Sequence, residues 1–343
     1  MIKTSADIKR VVFEPAALNY PLGKKLYHDF RKKGLEILFT PSHNRVTCIP
    51  GKSVQESFVE AKGTLVVGVR RSRRLETCKP SAHFQLPLAT SCPAMCEYCY
   101  LFTHFGRRPY QRVYVNISEI LELAGDYIER RKPEITVFEA AATSDPLPVE
   151  KYTGNLARTI EFMGNQPLGR LRVVTKFTNV AGLLGLDHRG HTRFRFSINA
   201  ADIIKRFEHG TPPLAERLAA ALKIVKAGYH PGFIIAPIFY LDGWQEQYRA
   251  LFQEIARQTL LAEHDDLTLE LITHRFTKKA KNTIETLFPK TELPLDEETR
   301  TFKYSQFGYG KYVYPAGVRT EMEAFFKKMV AAYLPRATIE YFI

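Results

Sequence analysis

SCPAMCEYCYL, residues 91–101, sets Cys92, Cys96 and Cys99 at a C-x3-C-x2-C spacing. A structural zinc site is closed by four ligands, and a fully ligated iron–sulfur cluster takes four cysteines. Three thiolates on a cubane-type cluster leave one iron without a protein ligand, and an open metal position is where a substrate or cofactor binds. A zinc site completed by a distant fourth ligand, Cys78 or His83, is the alternative that the spacing leaves open. The chain has five cysteines in 343 residues, Cys48 and Cys78 besides these three, which is no disulfide framework. They read as ligands in a reducing compartment.

A strand–helix alternation begins at this loop. β-rich runs at 86–90, 135–140, 171–176, 192–199, 232–239 and 267–273 are each followed by a helical pattern, as at 117–131 and 214–227. Six such units imply a parallel sheet in an α/β fold. Upstream, residues 1–85 read as an N-terminal α/β segment, with a Lys/Arg-rich helix near 20–33 and strand-like runs at 35–39 and 64–69. Beyond 290 the rhythm breaks. FKYSQFGYGKYVY, residues 302–314, alternates aromatics and glycines like a hairpin, before an amphipathic helix over 318–334 and a strand-like run at 337–343. The expected division is 1–85, 86–290 and 291–343.

Parallel βα folds carry their chemistry at the carboxyl ends of the strands. Here those ends bear the cysteine loop, Thr143-Ser144-Asp145, Lys176, Ser197 and Asn199, Ala236-Pro237, and His274-Arg275. Charge adds a second constraint. Lys and Arg number 49 against 36 Asp and Glu, a net +13, with clusters at GVRRSRR (68–74) and Arg107-Arg108. Such an excess favours a polyanionic partner, because each neutralised phosphate releases counterions. No run of about 18 apolar residues and no apolar secretory stretch at the N-terminus is present, so a soluble, cytoplasmic protein without a membrane partner is expected.

The cysteine spacing, with Tyr98 just before the last cysteine, resembles the signature of the radical S-adenosylmethionine (SAM) superfamily. The order of CEYCYL, ATSDP, VTKF, TRFRFSIN, GFIIAPI, HRFTKKAK and GYGKYVY resembles the spore photoproduct lyase family across about residues 10–343. That resemblance implies a partial (β/α)6 TIM-type barrel with a C-terminal β-hairpin, a 4Fe-4S cluster and SAM. The implied reaction repairs the ultraviolet thymine dimer 5-thyminyl-5,6-dihydrothymine: a 5′-deoxyadenosyl radical takes hydrogen from C6 of the lesion, the methylene bridge breaks, and a hydrogen atom is returned. It also implies double-stranded DNA with a flipped lesion as partner, an electron donor such as flavodoxin or ferredoxin, and a monomer in the spore or cell interior.

By the same resemblance Cys92, Cys96 and Cys99 hold the cluster, and Ser144, Lys176 and Ser197 surround SAM. A lysine ammonium pairs with SAM's carboxylate, and hydroxyls at strand ends hold its amino group and ribose. Ala236 and Pro237 offer a small wall for adenine, or serve barrel closure. Tyr98 and Tyr100 are associated with a radical relay; aromatic packing beside the cluster explains them equally. His274 and Arg275 meet a phosphate or cap the barrel.

Two positions depart from the family pattern. Ala142 stands where family members carry the cysteine that returns the hydrogen atom, and a methyl group cannot replace a thiol there. Tyr98 and Tyr100 are the nearest substitutes by sequence, with Cys78 a further candidate. Near the hairpin tip, where an arginine and a tyrosine are expected to wedge into the duplex, this chain has Gln306 and Phe307. Phe307 can stack on a base, and Lys303 or Lys311 can meet phosphate. One engineered change does not explain both departures, which favours a natural lyase-like paralogue over a variant stalled for study.

Overall fold

The computed structural model describes residues 8–41, 43, 46–101, 105–106, 108–304 and 310–343. The chain opens with β1 (Arg10–Phe13), β2 (Glu36–Phe39) and β3 (Thr64–Gly68), interleaved with helices Pro21–Lys32 and Val54–Lys62. β4 (Thr77–Cys78), β5 (Ala82–Leu86), β6 (Ala89–Thr90), β7 (Met95–Cys96) and β8 (Gln111–Tyr114) surround the cysteine loop. β9 (Thr136–Ala140), β10 (Gly169–Thr175), β11 (Thr192–Ile198), β13 (His230–Ile238) and β14 (Thr268–Thr273) alternate with helices, and the short β12 (Glu208–His209) lies between β11 and β13. β15 (Thr301–Tyr304) and β16 (Gly310–Val313) precede helix Ala316–Tyr333 and β17 (Thr338–Phe342).

Eight strands form a curled sheet in the order β17-β14-β13-β11-β10-β9-β5-β4, parallel except for the β4–β5 edge. This is the expected partial barrel. A second, five-stranded sheet has the order β2-β1-β3-β8-β6. Parallel strands are covered on both faces and so read as continuous apolar runs, as in the fully buried TLVVG of β3. The covering helices are one-sided: Ile117–Arg130 buries Ile117, Ile120, Leu121, Ala124 and Ile128, the i, i+3, i+4 spacing of a core-facing stripe.

The expected helices at 117–131, 214–227 and 318–334 are found as Ile117–Arg130, Leu214–Lys226 and Ala316–Tyr333. The run at 86–90 is not one strand. Leu86 ends β5 in the barrel sheet, while Ala89–Thr90 pairs antiparallel with β8 in the other sheet. Pro87 lies between them and has no N–H to give a ladder. β8 itself carried too short a pattern to be read from sequence. Nor does the barrel sheet stay within 86–290: β4 and most of β5 lie upstream, and β17 adds to β14 from the chain's end.

The barrel interior contains a buried ionic layer. Arg195, fully buried, donates to Glu139 on one side and Glu270 on the other. Tyr341 donates to Glu270 as well, and Arg172 stands 3.6 Å from the same carboxylate. Burial pushes the Glu139 carboxyl up to about 7, against the pull of Arg195. A carboxyl raised in this way contributes stability that is present below its ordinary range and lost as pH rises through the folded value. Arg195→Met removes the partner that Glu139 and Glu270 share, leaving Glu270 with Arg172 and Tyr341. It is expected to cost about 3–5 kcal/mol in denaturant unfolding at neutral pH, with a smaller loss at pH 5 than at pH 8.

Candidate active site

Two turns at the carboxyl rim of the barrel set the cysteine loop. Ser91 (φ 59°) and Ala141 (φ 57°) both adopt the left-handed conformation, which non-glycine residues rarely take and which clusters at functional sites. They lie side by side: the Ser91 amide donates to the Thr143 carbonyl (2.8 Å), and Ser144 Oγ donates to the Ser91 carbonyl. Ser91 Oγ donates to the Pro109 carbonyl (2.8 Å), and Lys62 Nζ donates to the Cys92 carbonyl (2.9 Å). The loop leaves the rim with both ends fastened.

Cys92, Cys96 and Cys99 are all free thiols. Cys96 lies in β7, which pairs antiparallel with β12 so that Cys96 stands opposite Glu208. The Glu97 amide donates to the Phe207 carbonyl (2.9 Å), and the Glu97 side chain takes hydrogen bonds from Thr291 and the His209 ring (2.6 Å). Burial pushes the Cys92 thiol up to about 11 and Cys96 well above its ordinary value. Metal loading therefore has to release protons. Among the described residues no three His, Cys, Asp or Glu side chains converge on a single point. The three cysteines of a cubane bind three separate irons, and this one loop carries three free cysteines, the number such a cluster takes with one iron left open.

Glu208, which no sequence signal marked, is the centre of the polar network. Its carboxylate accepts from Tyr98 OH, from Lys176 Nζ (3.2 Å) and from Arg217 (2.6 Å). Burial alone would raise this carboxyl, but Lys176 and Arg217 outweigh it and hold it below its ordinary value. Arg217 is itself fully buried and also donates to the Ser197 carbonyl (2.9 Å). Lys176 Nζ donates to Ser197 Oγ (2.7 Å) and sits 5.7 Å from the centre of the Tyr98 ring. Asp145 fixes the end of β10 by accepting from Thr175 Oγ1 (2.9 Å) and the Lys176 amide (2.8 Å), and burial pushes it up to about 6.

Lys176, Ser197 and Tyr98 are thus gathered beside Cys96, while Ser144 is used to bind the cysteine loop. Ala236 precedes a cis bond to Pro237, whose carbonyl accepts from Asn199 (2.8 Å). Tyr100 is 60% exposed, but its hydroxyl donates to the Ala142 carbonyl (2.9 Å), so the expected relay tyrosine and the departed donor position touch. His274 is buried, its ring tilted against Phe239 with centroids 4.7 Å apart, and its carbonyl accepts from Arg300 (2.9 Å).

The hairpin is present as β15 and β16, with Lys303 directly opposite Lys311. Burial, then Arg275 and Lys303, lower the Lys311 ammonium's pKa, the mark of crowded positive charge. Phe302 and Tyr304 are 48% and 82% exposed. Gln306 and Phe307 lie outside the described residues. No described helix is long and apolar enough to cross a membrane.

A family model described as spore photoproduct lyase matches residues 7–343. The chain is 47% identical to a spore photoproduct lyase of Clostridium acetobutylicum over 335 residues, 98% of each chain. It is 48% identical to that of Bacillus subtilis (strain 168) over 332 residues, 97% of each. Among solved structures, a double mutant of spore photoproduct lyase with bound AdoMet and dinucleoside spore photoproduct superposes with a TM-score of 0.96 at 49% identity, covering 99% of this chain and 100% of that one. A spore photoproduct lyase complexed with the dinucleoside lesion gives 0.95 at 49% identity over 98% of both. With its cysteine loop, curled sheet and near-complete alignment, this chain belongs to the spore photoproduct lyase family.

Proposed function

We propose that this protein is a radical SAM lyase that reverses spore photoproduct in DNA. The observation that carries the reading is the cysteine loop held against the Lys176–Ser197–Glu208 network at the barrel rim, in a chain nearly half identical to named lyases along its whole length. Bound at that rim, cluster and SAM together supply a carbon radical on reductive cleavage. The chain's residues do the rest. Cys92, Cys96 and Cys99 ligate the cluster. Lys176 Nζ presents its ammonium to the SAM carboxylate, with Ser197, Ser144 and the Ala236 wall around it. Glu208 and Arg217 hold Lys176 in place, so the site is preorganised before the cofactor arrives. Exclusion of water and oxygen protects the radical.

DNA binding is read from the basic excess and from the exposed aromatic and lysine side chains of β15 and β16. A photodamaged thymine is poorly stacked, so extruding it costs less than flipping an intact base. Within this reading the hairpin and last helix form the DNA-contacting part, 86–290 carries most of the catalytic barrel, and 1–85 is a supporting segment that adds the barrel's edge strands β4 and β5. The protein works as a monomer in the cell or spore interior and is reduced by a small iron–sulfur or flavin protein such as ferredoxin or flavodoxin.

Three outcomes test the proposal. Anaerobically reconstituted protein given SAM, reductant and lesion-bearing DNA should yield 5′-deoxyadenosine and repaired thymine by mass spectrometry; SAM cleavage with an untouched lesion would reject the substrate. Lys176→Met should weaken SAM binding by about ten- to a hundredfold in equilibrium dialysis, the worth of a charge-assisted hydrogen bond, with the cluster's absorption retained. Replacing Lys303 and Lys311 together by Glu should weaken duplex binding more than tenfold and flatten its salt dependence by about two contacts, with a much smaller loss on the dinucleoside lesion.

A further inference from the structure

We infer that RRSRR, residues 70–74, is a second DNA-binding element, an arginine strap that grips the phosphate backbone on the far side of the barrel's seam from the hairpin; the inference rests on the lyase reading above. The strap joins the two sheets, running from the end of β3 to the start of β4, and no helix or turn interrupts 69–76. It is pinned at both ends. The buried Asn116, just before helix Ile117–Arg130, accepts from the Arg70 amide (2.8 Å) and donates to the Arg70 carbonyl (2.9 Å). The Arg70 guanidinium lies 5.9 Å from the centre of the Tyr114 ring. Leu75 is buried in the main core, and its amide donates to Tyr127 OH (3.3 Å). Between these anchors Arg71, Arg73 and Arg74 are exposed.

Their charge is scarcely compensated. Among the described residues the one carboxylate within ion-pair reach of the three is Glu14, 3.9 Å from Arg71, and it is already held by Arg112 and His43. Three guanidiniums on a backbone that the fold has already fixed lose little further freedom on meeting an anion. Their planar forks match phosphate oxygens two at a time.

Topology puts the strap beside the site. β4 is one edge of the barrel sheet and runs antiparallel to β5. The strap therefore arrives at the carboxyl end of β5, where the Glu76 carbonyl accepts from the Gln85 amide (2.9 Å). This is the rim that carries the cysteine loop. The hairpin joins the other side of the sheet, since Phe276, just past β14, exchanges backbone hydrogen bonds with Tyr312 of β16 (3.2 and 2.7 Å). β14 adjoins the opposite edge strand, β17, and the two edges meet where Ser81, in the β4–β5 turn, hydrogen-bonds Tyr341 OH (3.1 Å). Strap and hairpin thus flank one seam, with arginines on one side and Lys303 and Lys311 on the other. A lesion flipped into the rim has duplex on both flanks, and a single arm holds only one of them. From Arg71 to Arg74 the chain spans at most about 10 Å, the rise of about three phosphates on one strand. That match and the shared rim favour DNA over an acidic protein as the partner.

The test uses the full-length, cluster-loaded protein, a duplex carrying one spore photoproduct, and the dinucleoside lesion. Replacing Arg71, Arg73 and Arg74 together by Ala should weaken duplex binding at least tenfold in fluorescence anisotropy at low salt. The slope of log affinity against log salt should fall by about three, and Lys at all three positions should keep most of it. Turnover of the dinucleoside, which has no flanking phosphates, should stay within twofold. Neutral methylphosphonates on one flank of the lesion should cost the parent at least threefold in affinity and the alanine variant almost nothing; on the other flank they should still cost that variant. Unchanged duplex affinity and slope overturn the strap, and slower reduction of that variant by ferredoxin or flavodoxin would then assign the patch to an acidic protein. An equal loss on duplex and dinucleoside overturns it as well, because the loop would then support the site and not the duplex. Both failures leave the lyase reading standing. SAM cleavage by the parent with the lesion intact refutes that reading, and with it the strap's part in repair.

Discussion

The Glu208 carboxylate is the interaction on which the site depends. It receives hydrogen bonds from Lys176, Arg217 and Tyr98, and its strand pairs with the one that carries Cys96. A buried carboxylate is tolerated only when its charge and lone pairs are met, and here two cations and a phenol meet them. One residue therefore ties the cluster loop to the end of β10 through Lys176 and to helix Leu214–Lys226 through Arg217. Loss of Lys176 or Arg217 would leave the buried carboxylate with a single cation, so a change at the cofactor-facing rim also costs the barrel stability.

The second buried ionic group, Arg195 between Glu139 and Glu270, plays a related part lower in the barrel. Such groups gain little over a well-packed apolar core. What they contribute is a polar interior beneath a rim where charged cofactor groups are handled. Glu139 links the two levels, because it belongs to the ionic layer and also to the environment of Cys78 and Tyr100.

The two departures from the family pattern lie in different settings. Ala142 follows the end of β9, and its carbonyl accepts from the Tyr100 hydroxyl, so the position is packed against the cysteine loop whatever side chain it carries. At the hairpin, Lys303 stands opposite Lys311 on two paired strands, while Gln306 and Phe307 lie outside the described residues.

The sequence by itself determined the cluster, the alternation of strands and helices and the basic surface. Each is written locally: three cysteines within eight positions, apolar periodicity repeated six times, and charge that needs no neighbours to be counted. Lys176 drew attention by its place at a strand end and Ser197 through the family resemblance, and the fold brings the two within hydrogen-bond distance. Only the tertiary structure decided the rest. Glu208, Arg217 and Lys62 sit in unremarkable local contexts, and nothing short of folding shows that they converge on the cysteine loop. The break after Leu86 and the assignment of β6 and β8 to a second sheet follow from which partners offer hydrogen bonds, a non-local choice that a four-residue pattern does not encode.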